Sequence, residues 1–150
     1  MSKMRFSFFQ WSPVLTVFLL LSAACHVNKA KEAGNTQLKD YVFVVNIVPD
    51  TQKLKEYLDY HAHIWPEVEA GFRKAGYKKI SLYRHDYLLV MTLTVPADAD
   101  LGQMGKLAES YDKRCADWNQ LMNGYQTGVP GTKPDEKWVE AKPFYRFVNE

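Results

Sequence analysis

Cysteine is nearly absent: the chain has two, Cys25 and Cys115, so no disulfide framework and no paired-cysteine zinc site can be assembled from it. There is no Gly-x-Ser-x-Gly elbow, no phosphate-binding loop and no dinucleotide glycine pattern. Ser81 and Ser110 have no evident triad partners, and Cys115 has no histidine near it in sequence. An excess of one charge is also missing. Of the 19 basic residues, Lys3 and Arg5 fall in the first 25, while all 17 acidic residues follow Cys25. The rest of the chain is therefore balanced, and gives no electrostatic case for a nucleic-acid partner. The apolar run "VLTVFLLL" (14–21) is too short to span a bilayer comfortably.

What is present begins with that run. A positive start, an apolar stretch and "SAAC" (22–25) form a secretory signal pattern. Its cysteine ending resembles a bacterial lipobox, in which Cys25 is lipidated and becomes the new N-terminus. The leucine usual three places before that cysteine sits four places before it, at Leu21. The expectation is a signal over 1–25, a polar tether over 26–38 that opens "HVNKAKEAGNTQ", and one domain over 39–150. The lipid would anchor the protein to a membrane of the bacterial cell envelope, without spanning it. About 125 residues remain after the signal, enough for one domain with a modest core.

Along the domain, "DYVFVVNIVPD" (40–50) reads as a strand covered on both faces. Thr51 or Asp50 can cap a helix, along which Leu54, Leu58, His61 and Trp65 keep helical spacing. Pro66 starts a second helical piece, with Val68, Phe72 and Ala75 continuing the stripe and Gly76 ending it. "KISLYR" (79–84) and "YLLVMTLTV" (87–95) read as a hairpin turning at "HD". Apolar residues from Leu101 to Met122 predict a helix that bends near Ser110. "GVPGTKPDEKW" (128–138) is a loop, and "KPFYRFV" (142–148) reads as the last strand. The order β-α-β-β-α-β predicts an α+β, ferredoxin-like fold. Its sheet would have one face bare of helices, and a second copy of the chain is the expected cover, making a homodimer.

The segment "EYLDYHAHIWPEV" (56–68) carries the chemistry. Tyr57 and His61, four apart, share a helical face that points inward. Buried polar tips there need partners or a ligand, because each left unpaired costs about 1–3 kcal/mol. A core Tyr and His bonded to backbone is the plainer reading. A metal site is disfavoured, since His61 and His63 point about 200° apart on a helix, and Glu67 or His85 could join only through folding. What remains is acid–base work by His61, whose unperturbed pKa lies near neutrality. Its pocket would be walled by aromatic faces with hydroxyl tips, a surface suited to a monosaccharide.

"EYLDYHAHIWPEVEAGFRKAG" resembles the E-Y-x-x-x-H-x-x-I-W-P-E segment of the L-rhamnose mutarotase family. "SLYRHDYLLVMTLTV" is similar to that family's central hairpin, and "WNQLM" with "PGTKPDEKWV" to its C-terminal stretch, so the likeness spans roughly 40–148. The resemblance implies a dimeric ferredoxin-like barrel that interconverts the α and β anomers of a 6-deoxy-hexose such as L-rhamnose or L-fucose, without a cofactor. It implies His61 as proton donor to the ring oxygen and Tyr57 as a sugar-binding residue. Trp118 matches the second of two adjacent tryptophans that bind sugar in rhamnose-type members. Asp117 stands where the first would be, and Ile80 where a substrate-binding tyrosine would be; the L-fucose branch is similar in having an acidic residue before a single Trp. Trp65 would lie with Trp118 against the ring or its methyl group, and Asp117 would accept a sugar hydroxyl. The general base has no assignment. Two other readings stay open: a non-catalytic sugar-binding lipoprotein of the same fold, and a haem protein with His61 as axial ligand.

Overall fold

The apolar run at residues 40–47 forms most of the first strand, β1 (Leu38–Ile47), whose alternate side chains Val45 and Ile47 are fully buried. The structure, a computed structural model, describes residues 37–149. The expected signal, Cys25 and nearly all of the tether lie outside the described residues. β1 is antiparallel to β3 (Leu88–Pro96), in register from Leu38 opposite Pro96 to Asn46 opposite Leu88. β2 (Lys79–His85) flanks β3 on its other side. The turn between them puts Asp86 at φ 51°, a left-handed conformation that Asp tolerates, and Arg84 donates to the Asp86 carbonyl at 2.8 Å.

Four helices cover one face. α1 (Thr51–Ala62) is capped by the Asp50 carboxylate, which accepts from the Lys53 amide at 2.8 Å. Pro66 opens α2 (Pro66–Ala75), and Gly76 closes it at φ 94°. The long helical stretch after Leu101 is two helices, α3 (Leu101–Glu109) and α4 (Lys113–Tyr125). Asp112 makes the break firm: its side chain caps the start of α4, accepting from the Arg114 amide at 2.8 Å. α1 is rotated from the expected stripe. Tyr57 is its buried residue and Leu58 is 39% exposed, so the inward face runs through Leu54, Tyr57 and His61.

The last strand is also placed differently from the sequence expectation. β4 (Gln126–Thr127) pairs with Asn46–Ile47, and β5 (Val139–Glu140) pairs with Phe43–Val44, so two short pieces share one flank of β1. The sheet order is β2-β3-β1-β4, with β5 also beside β1. With each helix pair as one unit and β4 and β5 as one interrupted strand, this is the ferredoxin-like βαββαβ fold. Trp138 packs against the main core and draws β5 in at residues 139–140. Pro143 has no amide to continue the ladder, and residues 142–148 leave the sheet.

The core has two clusters. One joins Val45, Ile47 and Leu89 of the sheet to Tyr57, Val68, Trp118 and Met122 of the helices; the other joins Val95 to Ala75, Met104 and Ala108. Gly71 lets α2 approach α3, since a β-carbon there would stand 2.7 Å from the Ala108 carbonyl oxygen. Gly71→Ala is therefore expected to destabilise the domain by about 1–3 kcal/mol, read as a lower midpoint in urea unfolding. An unchanged midpoint would mean the two helices part without penalty.

Candidate active site

Between the helix layer and the sheet lies a cavity of about 1060 Å³. Its near end is built where α1 and α4 face each other. Tyr57 and His61 project from successive turns of α1, with ring centroids 4.2 Å apart. Trp118 of α4 meets His61 edge-on at 5.4 Å and Tyr60 at 6.2 Å. Trp65 stands behind Trp118 at 5.3 Å, and the Arg114 guanidinium lies over its ring at 4.4 Å while pairing with Glu67 at 3.1 Å. Tyr125 meets Tyr57 edge-on at 6.2 Å and donates its hydroxyl to Glu56 at 3.1 Å.

The imidazole of His61 has a defined orientation. Its Nδ1 is 2.9 Å from the Tyr57 carbonyl oxygen, which can only accept, so Nδ1 carries a proton. In the neutral ring Nε2 then keeps its lone pair, and it has no protein partner among the described residues. Burial lowers the His61 pKa below its ordinary value of 6.5, partly offset by that backbone hydrogen bond. The resting form at neutral pH is the bare base. Tyr57, 2% exposed, behaves in the opposite sense: burial pushes its pKa up to about 12, so its phenol stays protonated. Its hydroxyl lies beside the Gln126 side chain.

Tyr57, His61, Ile80 and Trp118 all line this one cavity, although they come from α1, β2 and α4. Trp65 does not line it and instead backs Trp118. Asp117 is turned outward, its carboxylate held by Lys113 at 2.7 and 2.9 Å, an exposed i,i+4 pair. His63 ends α1 with its ring toward the Asp59 carbonyl, and His85 is exposed at the end of β2. Cys115 is buried beneath α2, its thiol donating to the Glu67 carbonyl at 3.3 Å.

Sequence reasoning missed Asn119, Asn123, Gln126 and Trp138, which also line the cavity. The asparagines, four apart, share a face of α4 that adjoins the buried face carrying Trp118 and Met122. Trp138 gave no signal, because a loop separates it from every helix it touches. Together these groups give a pocket with aromatic faces, amides for hydroxyl groups, and one imidazole free to accept a proton.

Residues 40–147 match the family described as L-rhamnose mutarotase. The chain belongs to that family. A curated relative, the L-fucose mutarotase of Xanthomonas campestris pv. campestris, is 34% identical over 102 residues, covering 66% of this chain and 80% of its own. A UPF0734 protein of Dictyostelium discoideum is 25% identical over 103 residues, covering 67% and 82%. The crystal structure of an L-rhamnose mutarotase from Formosa agariphila superposes with a TM-score of 0.51 at 13% identity, covering 73% of this chain and 99% of that one. Membership makes this chain a sugar mutarotase-type protein, and the structural likeness supports the fold.

Proposed function

We propose that the protein interconverts the α and β anomers of a 6-deoxy-hexose by opening and reclosing the ring, with His61 moving the proton. The observation that carries this reading is His61, which lines the cavity with Tyr57 and Trp118 and whose Nε2 has no protein partner among the described residues. In a pyranose both O1 and the ring oxygen are bonded to C1, so one imidazole can serve both. Bare Nε2 takes the O1 proton; the C1–ring oxygen bond breaks as C1=O1 forms; the imidazolium gives its proton to the former ring oxygen. The aldehyde then rotates about C1–C2, and closure reverses each step. His61 is thus the donor to the ring oxygen, and also the base that loads it. A positioned acid–base group of this kind contributes about 10²–10⁴-fold, enough for a reaction sugars already undergo slowly in water.

Tyr57, locked in its protonated form, donates to a sugar hydroxyl, and Trp118 lies against the ring or its methyl group. Trp65 supports Trp118 from behind. Asp117 does not line the cavity and pairs with Lys113 at the surface, and we place it there. L-Fucose is the favoured sugar: Ile80 leaves the floor apolar where a rhamnose-type member has a tyrosine, and the relative named for L-fucose is 34% identical. A panel of 6-deoxy-hexoses and related hexoses, followed by exchange between anomeric proton signals, tests this. L-Fucose should show the largest catalysed rate. Equal acceleration of every aldose would remove the specificity.

The pH profile has a definite sign. Because Nε2 must be bare to begin, catalysed exchange is high above neutrality and falls as pH drops through the His61 pKa, below 6.5. Rates between about pH 5 and 8, corrected for the uncatalysed reaction, check this. A rise toward acid would mean that the imidazolium starts the reaction.

We also propose that a second copy covers the bare sheet face. That face presents Val42, Val44, Leu88 and Val90, half-buried, and Tyr83, 57% exposed. In the chain just after β5, Phe144 and Phe147 stand 102% and 75% exposed in a segment whose sequence favours strand. Light scattering should give a dimer mass; a monomer at micromolar concentration would remove this part. Lipidation of Cys25, with the envelope location it brings, is a separate proposal resting on residues 1–25. A mature N-terminus that mass spectrometry finds at another residue, without lipid, ends it.

A further inference from the structure

The cavity is too large for the substrate just proposed. At about 1060 Å³ it matches the upper end of the ~300–1,000 Å³ range of pockets that enclose drug-sized ligands, and one deoxy-hexose ring is far smaller. His61, Tyr57 and Trp118 occupy only the end over the first core cluster. Beyond them the space continues toward the second cluster, past Phe72, Tyr77, Gly105 and Ala108 and above the β2–β3 hairpin. That far half has the same chemistry as a sugar subsite. Leu93, next to Val95 on the same sheet face, forms an apolar floor, Phe72 and Tyr77 stand edge-on at 5.7 Å as an aromatic wall, and the exposed Glu109 lines it with a carboxylate.

A second, independent observation is Gly105. It sits inside α3, where glycine is unfavourable relative to alanine. No close packing requires it: a β-carbon at that position would meet nothing within 4 Å. Gly71 is different, since the Ala108 carbonyl leaves it no room. Gly105 lines the far half of the cavity, where a side chain would project into open space.

We infer that the site takes the reducing end of a saccharide longer than one ring, with its 6-deoxy-hexose unit at His61 and the next sugar in the Gly105 half of the cavity. This rests on the mutarotase reading above. The chemistry is unchanged: at the reducing end the C1–ring oxygen bond breaks, C1=O1 forms and His61 carries the O1 proton to the ring oxygen. The glycosidic bond is untouched, and no co-reactant is consumed. The reaction class that supplies such a substrate is hydrolysis of a longer glycan, which releases reducing ends as single anomers.

The test compares two substrates with the full-length chain: the 6-deoxy-hexose it turns over fastest, and a disaccharide carrying that sugar at its reducing end. Saturation transfer between anomeric protons should give a kcat/KM for the disaccharide equal to or above that for the monosaccharide. Gly105→Trp should lower the disaccharide value by at least about tenfold and hold the monosaccharide value within about twofold. Glu109→Trp, one turn further along α3, makes the same comparison should Gly105→Trp not fold. A wild-type disaccharide value more than about tenfold below the monosaccharide value overturns the inference and leaves the mutarotase reading standing. Equal losses on both substrates in a folded variant also overturn it. Absence of exchange with either sugar sinks the mutarotase reading, and this inference with it.

Discussion

His61→Ala lowers catalysed anomer exchange by at least about 10²-fold and leaves the domain folded. The two halves of that expectation have separate causes. The loss follows from removing the one imidazole in the cavity whose Nε2 has no protein partner among the described residues. The retained fold follows from what the ring does structurally. It is half-buried, and its Nδ1 proton goes to the Tyr57 carbonyl, which as an interior helix carbonyl also accepts a backbone amide. Removing it leaves no buried acceptor unpaired, so stability should drop by only about 0.5–1.5 kcal/mol. Exchange kinetics together with a urea melt read both quantities. A folded His61→Ala protein with wild-type exchange would take the proton transfer away from this residue.

Trp118 shows the opposite division. It is 5% exposed and touches Tyr60, His61 and Trp65 through its ring edges and face. Trp118→Ala should destabilise the domain by about 3–5 kcal/mol, the cost of emptying a large aromatic site in a packed core. That variant cannot separate packing from recognition, and Trp118→Phe can. Phenylalanine keeps an aromatic face but loses the outer ring, so KM should rise several-fold, in line with the ~0.5–1.5 kcal/mol of one aromatic contact. The pH profile should be unmoved, because His61 keeps its Nδ1 bond and its burial. If Trp118→Phe binds sugar as the wild type does, the indole belongs to the core alone.

The parts of the molecule that could be read beforehand are those governed by local rules. Tyr57 and His61 are four residues apart on a helix with a good cap, so their sharing a face followed from helical geometry. Pro66 and Gly76 bound α2 for reasons of backbone chemistry alone. The break after Glu109 needed only Asp112 as a cap. The paired position of Asp117 was equally local, since Lys113 lies one turn earlier. Features that depend on distant packing were less legible. Leu58 is apolar and correctly spaced, but the sheet meets the other side of α1, through Tyr57. The last strand was expected over residues 142–148, where the residues have β propensity. Burial of Trp138 against the core instead fixes the pairing at Val139–Glu140. For the same reason Trp138 could not be foreseen as a wall of the site. Ile80 joins Tyr57 and Trp118 only because β2 lies beside β3, and no spacing along the chain encodes that.

The most direct measurement is saturation transfer between the α and β anomeric protons of L-fucose at neutral pH, with the protein in catalytic amount. The account predicts exchange above the solvent rate that grows linearly with protein concentration and disappears in His61→Ala. L-Fucose that binds, as line broadening would show, but exchanges no faster than in buffer would contradict it, and would leave a sugar-binding protein in place of a mutarotase.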